Sequence, residues 1–299
     1  MNAVAGLVAN GVLEESVPLG PMTTYKAGGP ARWLATIGSR RDLDRVIETG
    51  LANELPILVL GRGSNLVVAD SGFDGLVVKL EGDFLSITAE GLEVTGGGAA
   101  PLPRLARAAV EAGVLGLEFF VGVPGSVGGA VRQNAGCFGV ETVDRLRDAT
   151  IVDLHTGSVR RALAADLDLT YRHSSVAAHE LVIEATFTGE RGDPDEGREL
   201  MREITRWRKE HQPGGTLNAG SVFKNPPDIA AGQLIDDLGL KGMRVGDVAV
   251  SSKHANFFVA GAEASADDIR RLVQLVKDAV LELSGTNLET EIQFVGFDR

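Results

Sequence analysis

Ser221 stands in LNAGSVFKNP (217–226), with Gly220 before it, an apolar pair after it, and Lys224 and Asn225 close behind. A serine acts as a nucleophile when a neighbouring base takes its proton. No histidine falls in this stretch; the nearest upstream is His211, and the chain's five histidines are scattered. Arg172, between Tyr171 and His173 in TYRHS, is a second candidate: a fork for a carboxylate, or an ordinary surface arginine. Glu289 and Glu291 in LETEIQFVG (288–296) are two apart in an expected strand. They would share one face, either as chemical groups or as a solvated surface.

Two glycine-rich runs suggest a large ligand. GRGSNLVVAD (61–70) follows a strand-like PILVL and is itself followed by a strand. It lacks the third glycine of a dinucleotide fingerprint and the Gly-Lys-Ser/Thr of a P-loop. Its amides, Ser64 and Asn65 could cradle a diphosphate, and an ordinary tight turn explains it equally well. The second run, GLEFFVGVPGSVGGAVRQNAGCFG (116–139), surrounds Ser126 with Gly122, Gly125, Gly128 and Gly129. Backbone without Cβ atoms can lie against a planar or charged ligand. Pro124 stands where a nucleophile elbow needs glycine. Cys137 is open to reading as a nucleophile or as a small buried hydrophobe. HExxH and paired CxxC motifs are absent, so no metal site is expected.

The elements that must position these residues mix without regular alternation, which points to an α+β fold. Ser39 and Ser265 are placed to cap amphipathic helices, one carrying Leu43, Val46, Ile47 and Leu51, the other running to Gly285. Residues 101–112 and about 195–210 complete the expected helices. Short β-branched runs at 56–60, 75–80, 85–89, 92–96, 149–154, 181–187 and 255–260 predict strands. Turn-like AEG (89–91) and HTGS (155–158) predict hairpins, and ERGDPDEG (190–197) reads as a surface loop near a domain boundary.

At 299 residues the chain should hold two or three domains. The net charge of −12 disfavours nucleic acid as a partner, so cations that hold an anionic ligand must be local. One cysteine excludes an internal disulfide and suggests a reducing compartment. No signal peptide and no apolar run of roughly 18 residues are evident, so neither secretion nor a membrane is expected.

Taken together, TTYKAGGPA (23–31), LGRGSNLVVADSGFDG (60–75), GVPGSVGGAVRQNAG (122–136), YRHS (171–174), NAGSVFKNP (218–226), AGQLID (231–236) with GLKG (239–242), KHANFFV (253–259) and LETEI (288–292) resemble the bacterial UDP-N-acetylenolpyruvoylglucosamine reductases. The resemblance runs from about residue 18 to 296. It implies an FAD-binding region of the vanillyl-alcohol-oxidase (PCMH) type in two subdomains, residues 1–80 and 81–204, followed by an α+β substrate-binding domain, 205–299. The last strand is free to return to the first subdomain. FAD would be held by Gly61, Arg62, Gly63, Ser64, Asn65, Ser71, Gly72, Gly122, Pro124, Gly125, Ser126, Gly128 and Gly129. It would be non-covalent, since Asn65 stands where some related oxidases attach flavin through histidine.

The activity so implied is cytoplasmic, NADPH-dependent reduction of UDP-N-acetylglucosamine enolpyruvate to UDP-N-acetylmuramate, a step of peptidoglycan synthesis, with small molecules as the only partners. Arg172 and Glu291 match the residues that polarise the substrate carboxylate. A protonated Glu291 would donate to it, whereas a bare carboxylate would repel it. Ser221 matches the proton donor, acting as a general acid for which no histidine is needed. Tyr171, Lys209, Asn225 and Lys241 match substrate contacts. The short path from Pro226 to Leu234, and a chain whose tyrosines are Tyr25 and Tyr171, match the subtype without a tyrosine lid.

Overall fold

The computed structural model describes residues 3–297 and divides into two compact units. The first contains the chain up to Ser16, then Arg32–Gly61 and Asp74–Trp207; the second contains Val17–Ala31, Arg62–Phe73 and the chain from Arg208 onward.

The first unit has two cores. One lies under a five-stranded antiparallel sheet, in the order Val159–Leu163, Leu146–Asp153, Glu180–Thr188, Glu93–Gly97, Ile87–Glu90. Helix Leu102–Glu111 buries Leu102, Leu105, Ala106, Ala109 and Val110 among Val94, Ala149, Ile151, Ala185 and Phe187 of that sheet. The other core joins the four-stranded sheet Leu13–Pro18, Pro30–Ile37, Phe73–Leu80, Ile57–Val59 to helix Arg40–Glu48 through Leu13, Ile37, Leu43, Val46, Leu76 and Val78.

The second unit packs helices Ala231–Asp237 and Ala266–Ser284 with the small antiparallel sheet Arg244–Val245, Val248–Val250, Phe258–Ala260. A parallel pair, Leu66–Val68 with Gln293–Val295, lies in the same unit. Tyr25, 1% exposed, is fixed there by its hydroxyl donating to the Phe258 carbonyl at 3.2 Å. Burial raises its pKa well above the ordinary phenol value.

The serine caps are present: Ser39 Oγ accepts from the Asp42 amide at 3.3 Å, and Ser265 Oγ from the Asp268 amide at 3.0 Å. The first helix stops at Glu48. Gly50 turns left-handed, φ 73°, and places Leu51 in a separate turn, Leu51–Glu54. The hairpins close at Glu90–Glu93 and at Val152–Val159.

Three expectations give way. The second glycine-rich run contains a helix, Val127–Gln133. A Cβ on Gly128 would lie 3.1 Å from both the Gly98 and Val182 carbonyl oxygens, so this glycine lets the helix sit close against the sheet. The 190–197 segment is not a loop: Glu190–Arg191 pairs with Val114–Leu115, and Pro194 opens helix Pro194–His211. The final strand is Gln293–Val295 alone, so Glu289 and Glu291 lie outside it, flanking the isolated antiparallel bridge of Thr290 with Phe223. Residues 289–291 bond instead to the backbone at 222–224.

Asp70 ties the early loop to the last helix, accepting from the Ala266 and Asp267 amides at 3.0 Å each. Asp70→Ala should lower stability by about 1 kcal/mol, as expected for a lost N-cap acceptor, and Asp70→Asn should recover only part of it, because its single amide oxygen serves one of the two backbone donors and its NH₂ faces the other. Denaturant unfolding of both variants measures this.

Candidate active site

In the second unit, Ser221 lies on a short extended segment gripped from both sides. Ser221 bridges Phe257, and Phe223 bridges Thr290, both antiparallel. The Val222 amide donates to the Asn256 carbonyl at 2.8 Å, and the Glu291 amide donates to the Val222 carbonyl at 2.8 Å. Asn256, 2% exposed, completes the grip: its Oδ1 accepts from the Phe223 amide at 2.9 Å and its Nδ2 donates to the Phe223 carbonyl at 2.8 Å. Gly220, φ 75°, allows the turn into this segment, and its amide donates to Asn218 Oδ1 at 3.0 Å.

Asn65 joins the same framework. Its Nδ2 donates to the Glu291 carbonyl at 3.1 Å, and the Gln293 amide donates to the Asn65 carbonyl at 3.0 Å. The second unit thus brings together Asn65, Ser221 and Glu291, which lie far apart in sequence. Lys241 pairs with Asp236 at 2.5 Å, Asn225 Oδ1 accepts from the Ala231 amide at 3.0 Å, and the Lys209 carbonyl accepts from Lys253 Nζ at 2.5 Å. Arg62, Gly63, Ser64, Ser71 and Gly72 also belong to this unit. Among the described residues, none accepts from the backbone amides of Arg62, Gly63 or Ser64, so these donors suit an anion.

The first unit holds the other predicted residues. A Cβ on Gly61 would lie 3.0 Å from Ser126 Oγ, so the end of the first glycine run meets the second. Ser126 is 3% exposed and caps its helix, accepting from the Gly129 amide at 3.3 Å. Gly122, Pro124, Gly125 and Gly128 line the same stretch. Gly129, in the first turn of that helix, is exposed, and a Cβ there would meet only Ser126 Oγ, at 3.4 Å, so the run leaves open backbone that fits a flavin nucleotide. Arg172 sits in a tight turn at φ 56°, its guanidinium carbon 4.7 Å from the centre of the Tyr171 ring. Its Nη1 is 3.4 Å from Glu141 Oε1.

Sequence reasoning assigned no role to Asn256, Asn134 or Glu141. Their signal was a buried amide, or a half-buried carboxylate, inside motifs already quoted or just beyond one. It also gave no hint of Asp153, His155 and His179, whose ligand atoms lie within 4.8 Å of one another. The two imidazoles stack at 4.4 Å and 11°, so their lone pairs run nearly parallel and do not converge on one ion.

The α+β fold with a flavin cradle defines a flavoprotein, and residues 31–163 match an FAD-binding domain, of the PCMH type. Residues 212–295 match the C-terminal domain of UDP-N-acetylenolpyruvoylglucosamine reductase. Enzymes of that name are similar along nearly the whole chain. The one from Synechococcus sp. (strain WH7803) is 40% identical over 96% of this chain and 94% of its own, and that from Caulobacter vibrioides (strain NA1000 / CB15N) is 39% identical over 96% of each. The crystal structure of the Thermus caldophilus enzyme superposes with a TM-score of 0.82 at 37% identity, covering 94% of this chain and 98% of that one. The chain belongs to the UDP-N-acetylenolpyruvoylglucosamine reductase family and is an FAD-dependent oxidoreductase acting on a small molecule.

His254 gives this site a pH signature. Burial pulls its pKa below the ordinary imidazole range, and Lys241 and His211 act in the same sense. Its Nδ1 accepts from the Asn256 amide at 3.3 Å, a bond that protonation removes. The folded state therefore holds fewer protons than the unfolded chain just below the ordinary histidine pKa of about 6.5, and stability must fall as pH drops through that value toward the lower folded one. Unfolding midpoints measured from pH 7 downward should show this fall, and His254→Asn should flatten it.

Proposed function

We propose that the protein reduces UDP-N-acetylglucosamine enolpyruvate to UDP-N-acetylmuramate with NADPH, using non-covalently bound FAD, in the cytoplasm and without nucleic acid or membrane partners. The observation that carries this reading is the single backbone framework holding Ser221, Glu291 and Asn65. Bound FAD would supply the hydride chemistry, from NADPH to the terminal carbon of the enolpyruvyl alkene. The glycine runs at 61–65 and 122–129, with Ser71 and Gly72, would hold the cofactor through backbone donors and close approach.

The chain's own groups then have two tasks. Hydride arrival leaves enolate charge on the carbon beside the substrate carboxylate. Arg172 holds that carboxylate through its fork, and Glu291 donates to it. Positioned donors of this kind are typically worth about 3 kcal/mol each in the transition state. Ser221 Oγ gives its proton to the enolate carbon. The acceptor is strongly basic, so a hydroxyl suffices and no histidine is required. Tyr171, Lys209, Asn225 and Lys241 contact the nucleotide sugar, with the lysines supplying local positive charge in an acidic protein. The division into residues 1–80, 81–204 and 205–299 belongs to the same proposal.

Anaerobic stopped flow separates the half-reactions. Ser221→Ala should bleach with NADPH at the wild-type rate and recolour with the enolpyruvyl nucleotide about 10²–10⁴ times more slowly. Normal steady-state turnover by this variant refutes the acid role. A colourless protein that binds the UDP-sugar but holds no flavin would make it a binder instead.

A further inference from the structure

Within the first unit, the turn that carries Arg172 is held by polar contacts that begin at the glycine-rich helix. Asn134 ends that helix in a left-handed conformation, φ 42°, with 0% exposure. Its Nδ2 donates to Glu141 Oε2 at 2.8 Å and to the Thr170 carbonyl at 3.0 Å, and its Oδ1 accepts from the Val143 amide at 2.9 Å. The second oxygen of Glu141, Oε1, faces Arg172 Nη1 at 3.4 Å. Thr170 and His173 exchange backbone hydrogen bonds of 3.2 and 3.0 Å, closing the turn around Arg172.

Room for this arrangement is specific. Gly136 pairs with Glu141 across a two-stranded ribbon. A Cβ on Gly136 would lie 2.9 Å from Glu141 Cγ and 2.8 Å from the Val140 carbonyl oxygen. The Glu141 carboxylate can therefore occupy this place only beside a glycine.

We propose that Asn134 and Glu141 are positioning residues that fix the Arg172 turn and the plane of its guanidinium for a substrate carboxylate. The proposal rests on the role given to Arg172 above. A carboxylate accepts on both oxygens, one toward Asn134 and one toward Arg172. An amide in its place offers one oxygen and one NH₂, so it must turn a donor toward a donor. Carboxylate recognition by a guanidinium depends on the orientation of the fork, so a loosened plane weakens it without removing any group that touches substrate. The Tyr171 ring, 4.7 Å from the guanidinium carbon, supports the same plane.

Glu141→Gln, Arg172→Ala and the double variant test this in the full-length, flavin-loaded protein. Glu141→Gln should bleach with NADPH within about twofold of wild type but recolour with the enolpyruvyl nucleotide about 10–100-fold more slowly, as expected for a misplaced group. In the Arg172→Ala background it should slow recolouring by no more than about twofold further, because it acts through the residue already removed. In flavin-free Glu141→Gln protein, the amides of Thr170 and His173 should exchange with deuterium about tenfold faster than in wild type. Wild-type recolouring by Glu141→Gln alongside slow Arg172→Ala overturns the positioning role and leaves that of Arg172 intact. Fully multiplicative effects in the double variant overturn it as well. Wild-type recolouring by Arg172→Ala overturns the reading of Arg172 itself. Should Glu141→Gln fail to fold, Glu141→Asp keeps both acceptors one methylene too far back, and wild-type recolouring by it is equally fatal.

Discussion

In the second unit, backbone meets backbone with no side chain between. Gly72 has φ 90°, and a Cβ there would lie 2.1 Å from the Pro30 carbonyl oxygen. The Gly29 amide donates to the Ala69 carbonyl at 2.8 Å, and the Ala69 amide donates to the Val295 carbonyl at 2.8 Å. Chain from residues 29, 69 and 295 is thereby locked at main-chain contact distance. Such contact leaves few soft degrees of freedom, because shifting one segment breaks hydrogen bonds on both of its neighbours. The loop that carries Arg62–Asn65 inherits that rigidity from its C-terminal end, where Asp70 also caps helix Ala266–Ser284.

The segment with Ser221 is fixed by the same means. A proton donor with a high intrinsic pKa is useful only where the acceptor is strongly basic and the geometry is set beforehand. Asn256 contributes to this by bonding both the amide and the carbonyl of Phe223 with one buried side chain. Leaving either backbone group buried and unpaired would cost about 1–3 kcal/mol, so the amide at 256 is a structural demand of the segment that carries Ser221.

What could be read from the sequence was what is encoded locally. Ser39, Ser265 and Gly285 marked helix ends because caps act within one turn. The Leu92–Gly96 and Ala149–Leu154 runs marked strands by β-branched content, and the residues proposed for chemistry stood in motifs. Elements that depend on distant partners were hidden. The helix Val127–Gln133 was masked by its glycines, of which Gly128 packs against Gly98 and Val182. The end of the chain was read as one strand, but the pull of residues 222–224 on 289–291 confines the ladder to Gln293–Val295. Asn134, Glu141 and Asn256 could not be singled out, because their partners lie 7 to 36 residues away in sequence.

Backbone strain shows where such distant partners matter. Among the described residues, six non-glycine residues have positive φ: Ser16, Lys26, Asn134, Phe138, Asp168 and Arg172. Four of them fall between 134 and 172, around the turn that presents the guanidinium. A left-handed conformation is disfavoured for an arginine by roughly 1–2 kcal/mol, and it persists only where surrounding contacts over-determine it. Here those contacts are the reciprocal Thr170–His173 bonds, the Asn134 amide on the Thr170 carbonyl and the Glu141 carboxylate on Arg172 itself. An extended backbone at 172 would send the side chain in another direction. The strain therefore sets where the positive charge points, and the fully buried Asn134 is the group that keeps it there.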